Sequence, residues 1–334
     1  MKNIEKNARF SWKSLPAAEL HVHFEGTVRY QTYCKLAAKY KLSLDHITPQ
    51  IFNLPERSNL NFKQSYPEIT DFIDFIHVYL RISNLIRDED DILVIGNDYL
   101  QTLRDENVVH AEIYFTPTTF VRLGADLATL FRGLAELAKQ AKNKYAITLG
   151  FIFDIVRSAN ETGQDTIRLI EQAHKLGVPV FALGLAGMET STSVDQYLEV
   201  FNYARSNGLV TLAHAGEILG PELIWETIRK LNPRRIGHGI TAIQDQSLLK
   251  YLADSETCLE VSPWCNVALK TCDLTNHPIV DLVRAGVKVV LAADDPGIIE
   301  KSLNDNYMLA SQLGLSDDEL VAIRSYSLDY RSWK

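Results

Sequence analysis

Two histidines, His21 and His23, stand two residues apart at the end of a short apolar segment that is typical of a β-strand. Because side chains alternate between the two faces of a strand, both imidazoles point the same way. Two imidazoles on one face can bind one metal ion at about 2.0–2.1 Å each. Gly26 follows at a point where the chain must turn sharply. The pair predicts part of a metal site, which needs at least one more ligand and, for catalysis, an acid or a base.

Histidines and carboxylates also stand at the ends of three later segments with strand character. They occur in the sequences His214-Ala215-Gly216-Glu217, Gly237-His238-Gly239 and Asp294-Asp295-Pro296. Each of these motifs alone is compatible with local turn chemistry. Four strand ends that all carry such groups favour a single shared site.

The residue types indicate the chemistry of that site. Three histidines and one aspartate, His21, His23, His214 and Asp294, make a candidate shell for one divalent ion. Nitrogen and oxygen ligands suit Zn²⁺ or Fe²⁺, and Zn²⁺ is the usual choice for hydrolysis because it lowers the pKa of water to near 7. Glu217 and His238 remain as candidates for the acid or the base. A second ion is not expected, since strand four, residues 178–185, contains no lysine that could bridge two ions.

A fold must bring these strand ends to one place. Predicted strands alternate with predicted helices from residue 108 onward, and strict alternation argues for a parallel sheet with right-handed crossovers. The first strand ends at His23, and the others span 108–115, 147–156, 178–185, 209–214, 235–238, 257–261 and 287–292. Eight such units predict an α/β fold of the (β/α)₈ TIM-barrel type, in which active sites lie at the C-terminal strand ends. The alternative is a doubly wound open sheet, which usually carries a Gly-x-Gly-x-x-Gly turn that is missing here.

The segment 27–107 interrupts this alternation with no convincing strand. Helical patterns are predicted over 27–40, 66–86 and 88–103, and residues 42–62 are predicted to be a loop. Eighty residues exceed a plain connection, so we predict a structured helical insertion. It covers the barrel mouth as a lid or packs outside the barrel, and both interpretations stand. The whole chain, 1–334, is predicted to be a single barrel domain, with later helices at 127–144, 165–176, 194–206, 221–231, 245–253 and 278–285.

Composition narrows the class of protein. The 334 residues are 46% hydrophobic and 23% charged, the formal net charge is −8, and there is no Lys/Arg run. These values argue against a nucleic-acid or membrane-surface partner and favour a small molecule. Four cysteines without a Cys-x-x-Cys pair, a polar N-terminus and no apolar run of 18 residues predict a cytoplasmic protein. The helices offer surfaces on which a homodimer could form.

The ordered motifs together resemble the adenosine deaminase family of the amidohydrolase superfamily. The resemblance is carried by His-Val-His-Phe-Glu-Gly at 21–26, Leu-Ala-Gly at 185–187, His-Ala-Gly-Glu at 214–217, Arg-Ile-Gly-His-Gly at 235–239, the strand-seven motif at 260–266 and Asp-Asp-Pro at 294–296. It extends from about residue 17 to residue 307. The set is highly specific because its members occur in the family's order.

The resemblance implies hydrolytic removal of ammonia from a 6-aminopurine such as adenosine, adenine or a related derivative. It implies that His21, His23, His214 and Asp294 bind the metal and that Asp294 also contacts the attacking oxygen. Glu217 is then the proton donor to ring N1, and His238 orients or deprotonates water and steadies the charge on oxygen. Asp295 would contact purine N7, and the backbone N–H of Gly187 would contact N3.

Departures from the family pattern concern the substrate. Nucleoside-specific members usually have Asp where this chain has Glu25, an acid linked to the sugar, so Glu25 is a candidate substrate-binding residue nearer to the adenine type. His-Ala-Glu-Ile-Tyr-Phe at 110–115 also resembles the adenine type, whereas Trp264 resembles the adenosine enzymes. Met188 before Glu189 and Ala292-Ala293 before the aspartate pair also depart from the family.

Two other functions are compatible with such a barrel. One is a mononuclear amidohydrolase that cleaves a cyclic amide, a lactone or another ring amine. The other is a catalytically silent barrel that serves in binding. Glu217 and Asp295, placed to hold the edge of a nitrogen ring, argue against the first, and the intact ligand set argues against the second.

Overall fold

Eight parallel strands in the order β1 to β8 form the central sheet of the computed structural model, which describes residues 11–44, 54–55, 60–158 and 160–332. The strands are β1 Ala17–His23, β2 Val108–Phe115, β3 Thr148–Val156, β4 Val180–Ala186, β5 Val210–Ala215, β6 Arg235–His238, β7 Cys258–Val261 and β8 Val289–Leu291. Each strand pairs with the next strand in the chain. The predicted (β/α)₈ barrel is therefore confirmed.

The last strand returns to the first at the residues of chemical interest. The backbone N–H of Asp294 donates to the carbonyl of His21 at 3.0 Å, and the N–H of His23 donates to the carbonyl of Asp294 at 2.9 Å. These two bonds join the end of β8 to β1 and close the barrel there. Closure of the sheet thus sets the spacing between two candidate ligands on β1 and a third just after β8.

Helices fill the connections. They are α1 Tyr30–Lys39, α2 Phe72–Ser83, α3 Glu89–Asp105, α4 Pro117–Arg122, α5 Leu127–Gln140, α6 Gln164–Lys175, α7 Leu198–Ser206, α8 Pro221–Leu231, α9 Gln246–Asp254, α10 Pro263–Ala268, α11 Ile279–Arg284, α12 Leu303–Leu313 and α13 Asp317–Asp329. The helices α1, α2 and α3 stand between β1 and β2, where the insertion was predicted. Most of the predicted loop 42–62 lies outside the described residues.

Local capping explains where the insertion helices begin. Helix α2 starts at Phe72 rather than at the predicted residue 66 because the Asp71 side chain accepts the backbone N–H of Asp74. Helix α3 begins with a capping box between Asp88 and Asp91. The helices α4, α10, α12 and α13 were not predicted. The short helices α4 and α10 each begin with a proline two residues after the last residue of a strand.

The apolar core of the described residues falls into three clusters, one large and two small. The large cluster joins strands to helices, as where Phe153 of β3 stacks on Phe131 of α5 at a centroid distance of 5.5 Å. One small cluster contains Tyr114, Ile152, Ala182 and Leu212 from four neighbouring strands. These four residues fill the barrel interior beneath the polar strand ends. Within the described ranges no helix combines the length and the apolar character that crossing a bilayer requires.

Candidate active site

The structure brings the four predicted metal ligands together at the C-terminal end of the barrel. The Nε2 atoms of His23 and His214 lie 3.2 Å apart, and Oδ1 of Asp294 lies 3.5 Å from Nε2 of His23 and 3.6 Å from Nε2 of His21. One ligand atom from each of the three histidines falls within 4.8 Å of the others. All four side chains are buried. Three nitrogens and a carboxylate oxygen therefore converge on one point from β1, β5 and the end of β8.

Backbone geometry holds two of the polar residues in an uncommon conformation. His238 has φ +63° and Asp294 has φ +64°, in the left-handed region that side chains other than glycine rarely adopt. Such strain persists only where the surrounding structure holds the residue in place. For Asp294 the hydrogen bonds to β1 do this, and they turn its carboxylate toward the histidines.

Outer hydrogen bonds set which nitrogen of each ring faces the cluster. Nδ1–H of His21 donates to Oε2 of Glu260 at 2.7 Å, and Nδ1–H of His214 donates to the carbonyl of Leu185 at 3.0 Å. Both rings therefore turn Nε2 toward the cluster. The Nε2 of His21 is buried with no hydrogen-bond partner among the described residues. This pattern, a ligand imidazole held from behind by a carboxylate or carbonyl, is typical of protein metal sites.

The charges around the cluster suit a bound cation. Burial lowers the pKa of His23 to about 3 and that of His214 well below its usual value, so both rings are neutral, as metal ligation requires. Burial opposes a charge on His21, but the carboxylates of Asp294 and Glu260 raise its pKa well above the usual value. The two carboxylates therefore favour a positive charge at the Nε2 of His21, on the side of the cluster. The donor set and the orphaned nitrogen fit one divalent ion.

The two predicted acid–base residues lie beside this cluster. Nε2 of His238 is 3.6 Å from Oε2 of Glu217 and 3.8 Å from Oδ2 of Asp294. Burial, together with the charges of Asp294 and Glu189, raises the pKa of Glu217 well above its usual value. This shift favours the protonated carboxyl, the form that can donate a proton.

Two buried acidic residues that sequence analysis did not assign lie beside the site. Glu189 accepts the backbone N–H groups of Glu217 at 3.0 Å, Ile218 at 2.9 Å and Leu219 at 2.6 Å, so it fixes the loop after β5. Oδ2 of Asp154 lies 3.8 Å from Nδ1 of His23. The available signal for Asp154 was a lone aspartate inside the apolar strand β3. The available signal for Glu189 was its place after the Leu-Ala-Gly motif at 185–187.

A cavity of about 330 Å³ opens onto these groups. His23, His214, Glu217, His238, Asp294 and Asp295 line it, and Gly187 lies in its wall. Helix α2 adds Phe72, Phe75, Ile76, Tyr79 and Leu80. The cavity thus joins a polar end at the strand termini to an apolar wall from the insertion.

Two predicted glycines have specific steric roles in this cavity. A Cβ at Gly26 would lie 1.9 Å from Oδ1 of Asp295, so the close approach of that carboxylate, rather than a left-handed turn, requires glycine. Gly187 has φ +89°, which a side chain would strain. The first glycine leaves room for Asp295, and the second lets the chain turn after β4.

Glu25 lies behind the cavity wall. Its Oε1 accepts from the Thr116 hydroxyl at 2.7 Å and its Oε2 accepts from the Tyr79 hydroxyl at 2.8 Å, and its side chain is completely buried. Tyr79 and Thr116 line the cavity themselves. An influence of Glu25 on a substrate would therefore pass through these two residues.

Comparisons with known proteins identify the family of this chain. A family model described as "Adenosine deaminase" matches residues 16–330. The chain is 33% identical over 301 residues to an adenine deaminase of Crocosphaera subtropica, covering 90% of this chain and 88% of that one. It is also 33% identical over 301 residues to an aminodeoxyfutalosine deaminase of Streptomyces avermitilis, covering 90% and 81%. The crystal structure of an adenine deaminase from Arthrobacter aurescens superposes with a TM-score of 0.83 at 24% identity, covering 95% and 93%.

Proposed function

Because the chain belongs to the adenosine deaminase family, hydrolases that act on C–N bonds in cyclic amidines, we propose that it hydrolytically deaminates a 6-aminopurine. In this reaction water adds to C6, the C6–N bond breaks, and the 6-oxopurine and ammonia are released. The observation that carries the proposal is the position of the Glu217 carboxyl, which is buried beside the histidine cluster at the polar end of the cavity. A ring nitrogen next to C6 is the group that such an acid would protonate.

We propose that His21, His23, His214 and Asp294 hold one divalent ion and that this ion is Zn²⁺ rather than Fe²⁺. When bound, the ion supplies Lewis acidity that lets water act as a nucleophile at neutral pH. The choice of zinc is supported by the three imidazoles and one carboxylate and by the hydrolytic reaction.

The protein's own groups then act on the ring and on the attacking oxygen. Glu217 gives its proton to N1, which draws electrons from C6 and makes that carbon electrophilic. His238 faces the same space and steadies negative charge that develops on the oxygen. Asp294 contacts that oxygen from the side of the barrel closure.

Substrate contacts are assigned at the two ends of the cavity. Asp295 is proposed to bind purine N7, since burial and the charge of Asp294 raise its pKa and leave a proton to donate. The backbone N–H of Gly187 is proposed to bind N3. Glu25 is proposed to act on the substrate through Tyr79 and Thr116, with which it is hydrogen-bonded.

The apolar wall from α2 supports a 6-aminopurine that carries a further group beyond the ring. The relatives named above are an adenine deaminase and an aminodeoxyfutalosine deaminase, so both compounds are candidate substrates. The test is formation of the 6-oxopurine by the zinc-loaded protein from adenine, adenosine, deoxyadenosine, AMP, N6-substituted adenines and aminodeoxyfutalosine, with release of ammonia or, from the N6-substituted adenines, of the corresponding amine. We expect one of these to react with kcat/KM of about 10⁴ M⁻¹s⁻¹ or more. Release from none of them would refute the proposal.

A cytoplasmic location is proposed on separate grounds. All four cysteines are free thiols in the structure. Free thiols, two of them completely buried, are typical of proteins in a reducing compartment.

A further inference from the structure

A chain of hydrogen bonds runs behind His238, and its first member, Asn266, also lies with its Nδ2 atom 3.5 Å from Oε1 of Glu217. Asn266 of α10 contacts Nδ1 of His238 through its Nδ2 atom at 3.2 Å, and Nε2 of His277 contacts Oδ1 of Asn266 at 3.3 Å. The backbone N–H of Ile279 lies 3.2 Å from Nδ1 of His277. The three side chains are all buried. The reaction as described above uses neither Asn266 nor His277.

The backbone amide of Ile279, at the end of this chain, determines the direction of every hydrogen bond in it. An amide N–H can only donate, so Nδ1 of His277 must be bare and the proton of this ring must be on Nε2. That N–H requires an acceptor, which places the amide oxygen of Asn266 toward His277. The NH₂ group of Asn266 then faces His238 and donates to its Nδ1. Burial lowers the pKa of His277 to about 4, which agrees with a neutral ring.

We propose that Asn266 and His277 are positioning residues that hold His238 in the tautomer with its proton on Nε2, directed into the cavity. The Nε2 atom is the one that faces Glu217 at 3.6 Å and Asp294 at 3.8 Å. A ring in this form donates a hydrogen bond to the attacking oxygen, and its Nε2 cannot accept a proton from water. Of the two roles expected for His238, the chain therefore selects charge stabilisation. This catalytic consequence rests on the proposed function, whereas the tautomer itself does not.

Substitutions at His277 test the chain at the residue farthest from the cavity. His277→Gln keeps an N–H donor for Asn266, and His277→Leu removes it and leaves the Asn266 amide free to turn over. Two-bond ¹H–¹⁵N correlation spectra of the zinc-loaded protein report which ring nitrogen of His238 carries the proton, with His238→Ala identifying the signals. We expect Nε2–H in the wild type and in His277→Gln, and a mixture of tautomers in His277→Leu.

Kinetics supply the second readout. His277→Leu no longer holds the Nε2–H of His238 toward the cavity, so we expect its kcat to fall about 10-fold or more. KM should stay within about twofold, because the chain does not contact the substrate. His277→Gln should retain most of the wild-type kcat. A general packing defect would instead lower both variants together.

A wild-type His238 that carries its proton on Nδ1 would overturn the proposal. So would a His277→Leu variant with unchanged tautomer and unchanged kcat. If His277→Leu does not fold, the wild-type spectrum alone decides. If no 6-aminopurine reacts with the wild type, the proposed function fails, and the spectra still decide whether the chain fixes the tautomer.

Discussion

Oε2 of Glu260 lies 2.7 Å from Nδ1 of His21, and both side chains are completely buried. Behind Glu260 stands Arg235, which also donates to Oε2 of Glu112 at 2.6 Å and to the carbonyl of Tyr330 at 3.0 Å. Burial opposes ionisation of Glu260, but Arg235 holds its pKa at about 2. An ionised carboxylate thus fixes the tautomer and the direction of a candidate metal ligand.

The hydrogen bond between Glu260 and His21 can be tested by substitution. Glu260→Gln replaces the carboxylate with a group that binds Nδ1–H of His21 weakly and leaves the ring free to turn. We expect the affinity for Zn²⁺ to fall about 10- to 100-fold. Competition with a fluorescent chelator measures it.

Glu112→Gln is the matched control for that variant. This variant removes a carboxylate that is paired with the same arginine, Arg235, but that does not contact His21. Because each variant removes one partner of a buried ion pair, we expect both to lose about 3–5 kcal/mol of unfolding free energy. Equal zinc affinities in the two variants would contradict the assigned role of Glu260.

His214 provides the test of the metal site itself. His214→Ala removes one of the two nitrogens that face each other at 3.2 Å, so we expect the purified protein to lose its bound metal. Elemental analysis after dialysis measures the stoichiometry. His174→Ala is the control, because His174 bonds to the carbonyl of Val180 on the outside of the barrel. A full equivalent of metal in His214→Ala would remove His214 from the ligand set.

The loop that carries Glu217 should depend on Glu189. A glutamine at 189 offers one acceptor oxygen in place of two, so at least one of the three backbone N–H groups loses its partner. We expect kcat to fall about 10-fold or more with metal content unchanged. Glu226→Gln, which breaks an exposed ion pair with Lys230, serves as the control. Wild-type kcat in Glu189→Gln would show that the loop keeps its place without this carboxylate.

Much of the barrel could be predicted because it depends on local pattern. Apolar runs and turn residues predict the strands Val108–Phe115 and Arg235–His238, and the structure has the same bounds. Short helices such as Pro263–Ala268 lack an amphipathic period and were missed. The interpretation of the insertion as a lid over the barrel mouth, one of the two given above, stays a prediction.

The residues that hold the candidate ligands from behind could not be predicted from the sequence around those ligands. Glu260 and His21 are 239 residues apart, and Arg235 and Glu112 are 123 apart. Only the closed sheet brings such pairs together. The strand-end rule finds the residues that face the cavity, whereas the groups behind them depend on how the strands align with each other.

Acid should destabilise the protein through His277. Its pKa is about 4 when folded, against 6.5 in an exposed ring, so the unfolded chain takes up the proton first as the pH falls. The contribution to stability is full above pH 6.5 and is lost as the pH falls toward 4. Between pH 7 and pH 5 we expect a loss of about 2 kcal/mol in the wild type that is missing in His277→Gln. Urea unfolding at both pH values measures it, and equal losses would contradict the burial of a neutral ring.

We propose that water replaces the 6-amino group of a purine. The most direct test is mass spectrometry of the reaction in H₂¹⁸O with the zinc-loaded wild type and with Glu217→Gln. We predict one ¹⁸O in the 6-oxopurine and one ammonia per product from the wild type. Glu217→Gln should keep its metal but lose about 10²- to 10⁴-fold in kcat. A metal-loaded wild type that forms no labelled product with any substrate of the panel, or a fully active Glu217→Gln, would contradict the account.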